Sequence, residues 1–139
     1  MKTYHAVIDT NVIVAALLTP NEQSATVKVV DALLKGNIMP LYNDEILSEY
    51  DEVLRRDKFH FSSSTIDFLI NEIRRYGINS ERVNSVEHFP DPKDVVFYEI
   101  ALSKDDAYLV TGNINHFPRT PIVVTPAEMM AIIDAEEKQ

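Results

Sequence analysis

Short apolar stretches rich in strand formers alternate with stretches of helical spacing along almost the whole chain. That alternation limits the fold more than any other feature. Thr3–Asp9 reads as a buried strand. Val12–Leu18 follows as a short apolar helix, which Pro20 ends, and Thr26–Lys35 carries Val27, Val30, Leu33 and Leu34 at helical spacing before Gly36, a C-cap residue. Ile38–Tyr42 is a second strand, interrupted by Pro40. Asn43 or Asp44 caps a helix through Arg56, and Ser62–Ser64 caps another over Thr65–Tyr76, which ends at Gly77. Asn79–Val86 is weakly patterned and suits at most a short edge strand. Asp91-Pro92 opens a helix to Ser103, and Ala107–Thr111 and Ile122–Val124 read as strands. Thr125-Pro126-Ala127-Glu128 is a capping box with Pro at the first helical position, opening a last helix to Ala135. Such alternation predicts an α/β fold: a parallel sheet with helices on both faces, its crossovers right-handed.

A length of 139 residues suits one domain spanning 1–139. The absence of cysteine removes disulfides, thiolate metal sites and cysteine nucleophiles together. No apolar run approaches the roughly 20 residues of a membrane span, and Asp9 interrupts the apolar Ala6–Ile8, so neither a membrane segment nor a signal peptide is expected. A soluble, cytoplasmic protein is the expectation. Its formal net charge of −9 gives no long-range pull toward nucleic acid, so any such role needs a local basic patch. Two clusters qualify: Arg55-Arg56 with Lys58, and Arg74-Arg75 with Arg82. Each also suits a helix end, where cations complement the dipole.

In a sheet of this kind, ligands bind outside the carboxyl ends of the strands. Asp9, Thr10 and Asn11 follow the first strand, and Asp44, Glu45 and Glu49 follow the second. Asp91 and Asp94 open the Lys93–Ser103 helix, and Thr111, Gly112 and Asn113 close the Ala107–Thr111 strand. Each has an ordinary explanation: Asp9 as a helix cap, Glu49 as a solvated residue, Asp91 and Asp94 as first-turn acids, Asn113 as a turn residue. The four histidines are scattered and read as surface or half-buried. Together, however, Asp9, Glu49 and Asp94 repel one another, and Asp9 ends an apolar strand where it is partly desolvated. A hard cation resolves that conflict: Mg²⁺ or Mn²⁺ takes one or two carboxylates and keeps several waters, leaving room for a phosphate. No competing nucleophilic set is present, and three glycines supply no phosphate-cradling loop.

Four blocks carry a resemblance. They are Val7-Ile8-Asp9-Thr10-Asn11-Val12, then Glu49-Tyr50, then Asp91-Pro92-Lys93-Asp94-Val95-Val96-Phe97, then Leu109-Val110-Thr111-Gly112-Asn113 with His116-Phe117-Pro118. In this order the chain resembles the PIN domain family, in particular the toxins of prokaryotic toxin–antitoxin pairs. The resemblance implies a Rossmann-like parallel sheet, Mg²⁺- or Mn²⁺-dependent ribonuclease activity on RNA, an antitoxin protein as partner, and a homodimer. It matches Asp9, Glu49 and Asp94 to the acids of the family's metal site, with Asp91 a further acid, and Thr10 and Asn11 to residues supporting the first Asp. Thr111 and Asn113 fall in the fourth block. There, many members place an acid after the Thr or just before the Phe, where this chain has Asn113 and His116. A second metal would then be held weakly or by substrate phosphates.

Two other functions fit parts of the pattern. A PIN-like RNA-binding module that no longer cleaves would show the same Asn113 and His116 departures. A receiver-type signalling domain shares the alternation and an acidic Mg²⁺ pocket. It needs an acid pair after the first strand and a Lys after the fifth, and this chain offers neither.

Overall fold

The structure, a computed structural model, describes residues 2–137. Among these residues the chain forms strands β1 (Tyr4–Ile8), β2 (Ile38–Tyr42), β3 (Ile78–Asn79), β4 (Tyr108–Val110) and β5 (Val123–Val124). Between them run helices α1 (Thr10–Leu18), α2 (Ala25–Leu34), α3 (Asp44–Leu54), α4 (Ser63–Tyr76) and α5 (Val95–Ala101), and α6 (Pro126–Glu137) follows the last strand. The sheet order is β3-β2-β1-β4-β5 and every pairing is parallel. Ala6 pairs with Pro40 on one side and Tyr108 on the other. Successive side chains of a strand point to opposite faces. Ala6, Val7 and Ile8 are nevertheless all buried, so both faces of the central strand are covered. α2 packs on α1 and α6, and α3 packs on α4 and α5.

The order decides where a ligand can bind. The chain builds from β1 outward to β2 and β3, then returns to set β4 on the other flank of β1. The switch point therefore lies between the carboxyl ends of β1 and β4, the crevice in which open α/β sheets bind ligands. A receiver-type domain has the order 2-1-3-4-5, so the receiver reading is overturned here. Among the described residues no helix is long and apolar enough to cross a membrane.

Local chemistry accounts for the element ends. Asn43, not Asp44, caps α3, its Oδ1 accepting from the Ile46 N–H at 2.9 Å. Ser62 caps α4 through the Thr65 N–H. Thr125 and Glu128 bond reciprocally, as a capping box requires. α2 ends in a Schellman motif: Asn37 N–H reaches Ala32 O, Gly36 N–H reaches Leu33 O, and Gly36 takes φ 88°.

Three sequence expectations shift. α1 starts at Thr10, two residues before Val12. The helix expected from Asp91 to Ser103 divides into a 3₁₀ turn, Pro92–Asp94, and α5. The Asp91 carboxylate accepts from Lys93 N–H and the Asp91 carbonyl from Asp94 N–H, which tightens that turn. At the other end the Ser103 hydroxyl donates to Ile100 O at 2.6 Å. The edge strand expected over Asn79–Val86 keeps only Asn79: Ser80 N–H still reaches Tyr42 O of β2 at 2.7 Å, but further on the chain turns to α5, with Val83 N–H to the Glu99 carbonyl and Ser85 N–H to the Glu99 carboxylate at 2.7 Å.

Gly77 joins α4 to β3 where the backbone of β2 comes close. A Cβ there would stand 2.5 Å from Ile73 O and 2.6 Å from Pro40 O. Two backbone oxygens cannot give way cheaply, so Gly77→Ala is expected to destabilise the fold by about 1–3 kcal/mol, the usual range for overpacking. A denaturant midpoint unchanged by the substitution would contradict this.

Candidate active site

Asp9 stands where β1 passes into α1, and its N–H donates to Val110 O at 2.9 Å, which ties it to the end of β4. It occupies the N-cap position of α1, yet its side chain makes no cap hydrogen bond. Instead Asp9 Oδ2 accepts from the Thr111 hydroxyl at 2.7 Å and from Asn11 Nδ2 at 3.2 Å. Thr111 is fully buried, and its Oγ1 accepts from the Asn113 N–H at 3.0 Å. Asn11 Oδ1 in turn accepts from the Gly112 N–H at 3.2 Å. The loop after β4 thus orients the carboxylate after β1. Only 6% of Asp9 is exposed. Burial, with repulsion from Asp94 added, pushes its pKa up to about 6, although the Thr111 hydroxyl pulls the other way.

α3 delivers the second acid. Glu49 accepts a hydrogen bond from the buried Thr10 hydroxyl. Its pKa is raised by burial first, then by Asp9 and Glu52. The next residue, Tyr50, is buried and donates to the Ile8 carbonyl, so α3 is pinned to the last residue of β1. That contact gives the Glu49-Tyr50 pair a physical role the sequence did not disclose.

The 3₁₀ turn before α5 delivers the third. Asp94 makes no cap bond either. Its Oδ2 is buried without a hydrogen-bond partner among the described residues, and His116 Nδ1 stands 3.4 Å away, an ion pair only when the imidazole is protonated. Burial raises the Asp94 pKa, Asp91 and Glu49 raise it further, and His116 opposes them. Asp91 differs from the rest: it is exposed and caps the 3₁₀ turn, as the ordinary reading of a first-turn acid holds.

Asp9, Glu49, Asp91, Asp94, Asn113 and His116 line one open cleft of about 500 Å³. Among the described residues, no three His, Asp or Glu side chains are gathered tightly enough to hold a metal ion between them. The oxygen donors still suit a hard cation, which needs one or two carboxylates and keeps its waters. Among the described residues, Asp94 Oδ2 is buried with His116 Nδ1 as its one near neighbour of opposite potential charge, so a cation there would meet an oxygen without a hydrogen-bond donor. Asn113 is exposed with φ −121°, so no left-handed turn demands Asn there.

The basic residues separate. Arg55 is engaged by Asp51 and Asp67, and Arg82 by Glu45 and Glu99. Arg74 and Arg75 do not line the cleft. Arg56 does, although Glu52 lies 3.3 Å from it, and Lys93 joins it there. Lys93 was not legible as a cleft residue; its place between Asp91 and Asp94 in the sequence is the signal that could have shown it.

A buried carboxylate after β1, steered by a Thr after β4 and faced by acids from α3 and the turn before α5, repeats the four sequence blocks in space. The family model described as PIN domain matches residues 5–115. The chain belongs to the PIN domain family. No curated protein and no solved structure matches it. PIN domains are generally nucleases and typically use divalent metal ions. All four blocks of this PIN domain begin within the matched stretch, and His116 lies just beyond it.

The raised pKa of Asp9 has a stability consequence. The folded protein binds this proton more tightly than the unfolded chain, whose Asp has its ordinary 3.8. Ionising Asp9 therefore destabilises the fold. The loss sets in as pH rises past about 4 and is complete above about 6, reaching roughly 3 kcal/mol. Without divalent cations, Asp9→Asn is expected to melt several degrees above the native chain at pH 7, with the gap closing toward pH 4. Melting below the native chain at pH 7 would show that the carboxylate stabilises the fold.

Proposed function

We propose that this chain, as one PIN domain over 1–139, is a metal-dependent endoribonuclease that hydrolyses RNA phosphodiester bonds. The observation that carries this reading is the pair of carboxylates, Asp9 and Asp94, that are placed at helix starts without capping them and line the switch-point cleft. Asp9 and Asp94 would hold the cation, Mg²⁺ or Mn²⁺, with Glu49 and Asp91 within its outer reach. Bound there, such an ion supplies polarisation of a phosphoryl oxygen and a lowered pKa for an attacking water. Thr10 fixes Glu49, and burial raises its proton affinity above that of an ordinary Glu, as a general base needs. Thr111, Asn11 and the Asn113 N–H hold Asp9 at a fixed angle. Arg56 and Lys93 bring positive charge to the cleft for the RNA backbone.

The likeness of the four blocks to toxins supports a finer reading: the toxin of a toxin–antitoxin pair, acting in the cytoplasm as a homodimer and silenced by an antitoxin protein. A net charge of −9 suits a basic segment on that partner. One observation favours a second reading. His116 brings an imidazole to Asp94 where many relatives carry an acid, which fits an RNA-binding module that does not cleave.

One assay separates the two. Incubated with single-stranded RNA, the native protein is expected to cleave with Mn²⁺ or Mg²⁺ and to stop with chelator. Asp9→Asn and Asp94→Asn are each expected to lose at least a hundredfold in rate while keeping their fold by circular dichroism. Binding without cleavage under every metal condition would establish the silent module. Cleavage retained in both variants would remove these acids from the chemistry.

A further inference from the structure

The cleft that holds the acids also has an apolar wall, to which Val14, Leu18, Val53 and Phe59 contribute. Phe59 is half-exposed and is not among the residues packed on the core, whereas Phe61 is. The two rings are stacked, with centroids 5.4 Å apart and planes 12° from parallel. Phe61 thus anchors Phe59 from the core side. Lys58 sets its ammonium 5.1 Å from the Phe59 centroid. The residue that follows, His60, takes φ 59°; among the described residues no other non-glycine has a positive φ. A left-handed non-glycine costs energy and persists only where its surroundings hold it, and such positions cluster at functional sites. Here it ends the 3₁₀ turn that presents Phe59.

An aromatic ring at the rim of an acidic cleft, backed by a second ring and flanked by Arg56 and Lys58, has the composition of a stacking platform. We propose that Phe59 receives one unpaired base of the RNA whose backbone passes Arg56 and Lys93 on its way to Asp9 and Asp94, an inference that rests on the ribonuclease reading above. A base reaching the ring exchanges places with the Lys58 ammonium. Base–aromatic stacking is stronger than an exposed cation–π contact, and the freed ammonium gains a phosphate. Bases inside a duplex are already stacked on each other and offer no free face, so the platform selects single-stranded over double-stranded RNA.

The test uses Asp9→Asn as a non-cleaving form and measures fluorescence anisotropy with a labelled mixed-sequence oligoribonucleotide in Mg²⁺. It is read single-stranded, as a duplex, and with one abasic position moved along the strand. In that background Phe59→Leu is expected to lose about tenfold in affinity for the single strand, and Phe59→Trp to retain it. One abasic position is expected to cost the protein with Phe59 intact a similar factor and the Phe59→Leu variant nothing, and the duplex to bind at least tenfold more weakly. Single-strand affinity unchanged by Phe59→Leu, or abasic penalties identical with and without that substitution, would overturn the platform. If Phe59→Leu does not fold by circular dichroism, the abasic series on the protein with Phe59 intact decides alone, and no sensitive position overturns it. RNA cleaved or bound without regard to Phe59 sinks only this inference. No binding and no cleavage of any RNA sinks the ribonuclease reading with it.

Discussion

The structure turns on one buried charge. Asp9 stands just past the central strand at the edge of the cleft, almost wholly closed to water, and an ionised carboxylate is costly in such a place. Everything around it is arranged to hold it without neutralising it. Thr111 and Asn11 donate hydrogen bonds, Tyr50 pins α3 to the adjacent carbonyl, and the loop after β4 locks Thr111 and Asn11 in turn. These are neutral donors. They fix direction, and they leave the charge uncompensated.

A second buried acid in the same molecule shows what compensation looks like. Glu99 on α5 is 5% exposed, about as buried as Asp9. Burial works against its ionisation too, yet the Ser85 N–H and the Arg82 guanidinium outweigh burial, and its pKa falls below the ordinary value. Arg82 also reaches Glu45 on α3, so this acid knits the irregular stretch after β3 to two helices. Both side chains are closed to solvent, but Glu99 has a cation of its own in Arg82 and Asp9 has only neutral hydrogen-bond donors. The same contrast explains why Arg82 is spent within the fold, leaving Arg56 and Lys93 to line the cleft.

Much of this was legible in the sequence. The strand–helix alternation pointed to the parallel sheet, and the caps at Ser62 and Thr125-Pro126-Ala127-Glu128 stand where their residue types require. Asp9, Glu49 and Asp94 could be brought together from their places after strands and at helix starts. What stayed hidden depends on tertiary partners. Nothing local marks Glu99 as buried and paired, or sends the N–H groups of Val83 and Ser85 to α5. Arg55 and Arg56 are neighbours in sequence, yet one is engaged by two acids and the other lines the cleft. Nothing in the sequence around Phe59 marks it as a cleft residue; the turn over Asp57–Phe59 puts it on the cleft wall.

On the proposed function, the cleft at the β1–β4 switch point is a cation site built on Asp9 and Asp94. Anomalous diffraction from a Mn²⁺-soaked crystal tests it most directly, because it locates the ion independently of any activity. One strong peak is expected within coordination distance, about 2.0–2.2 Å, of an oxygen from each of these two carboxylates. A well-occupied Mn²⁺ elsewhere on the protein, with this cleft empty at saturating metal, would contradict it.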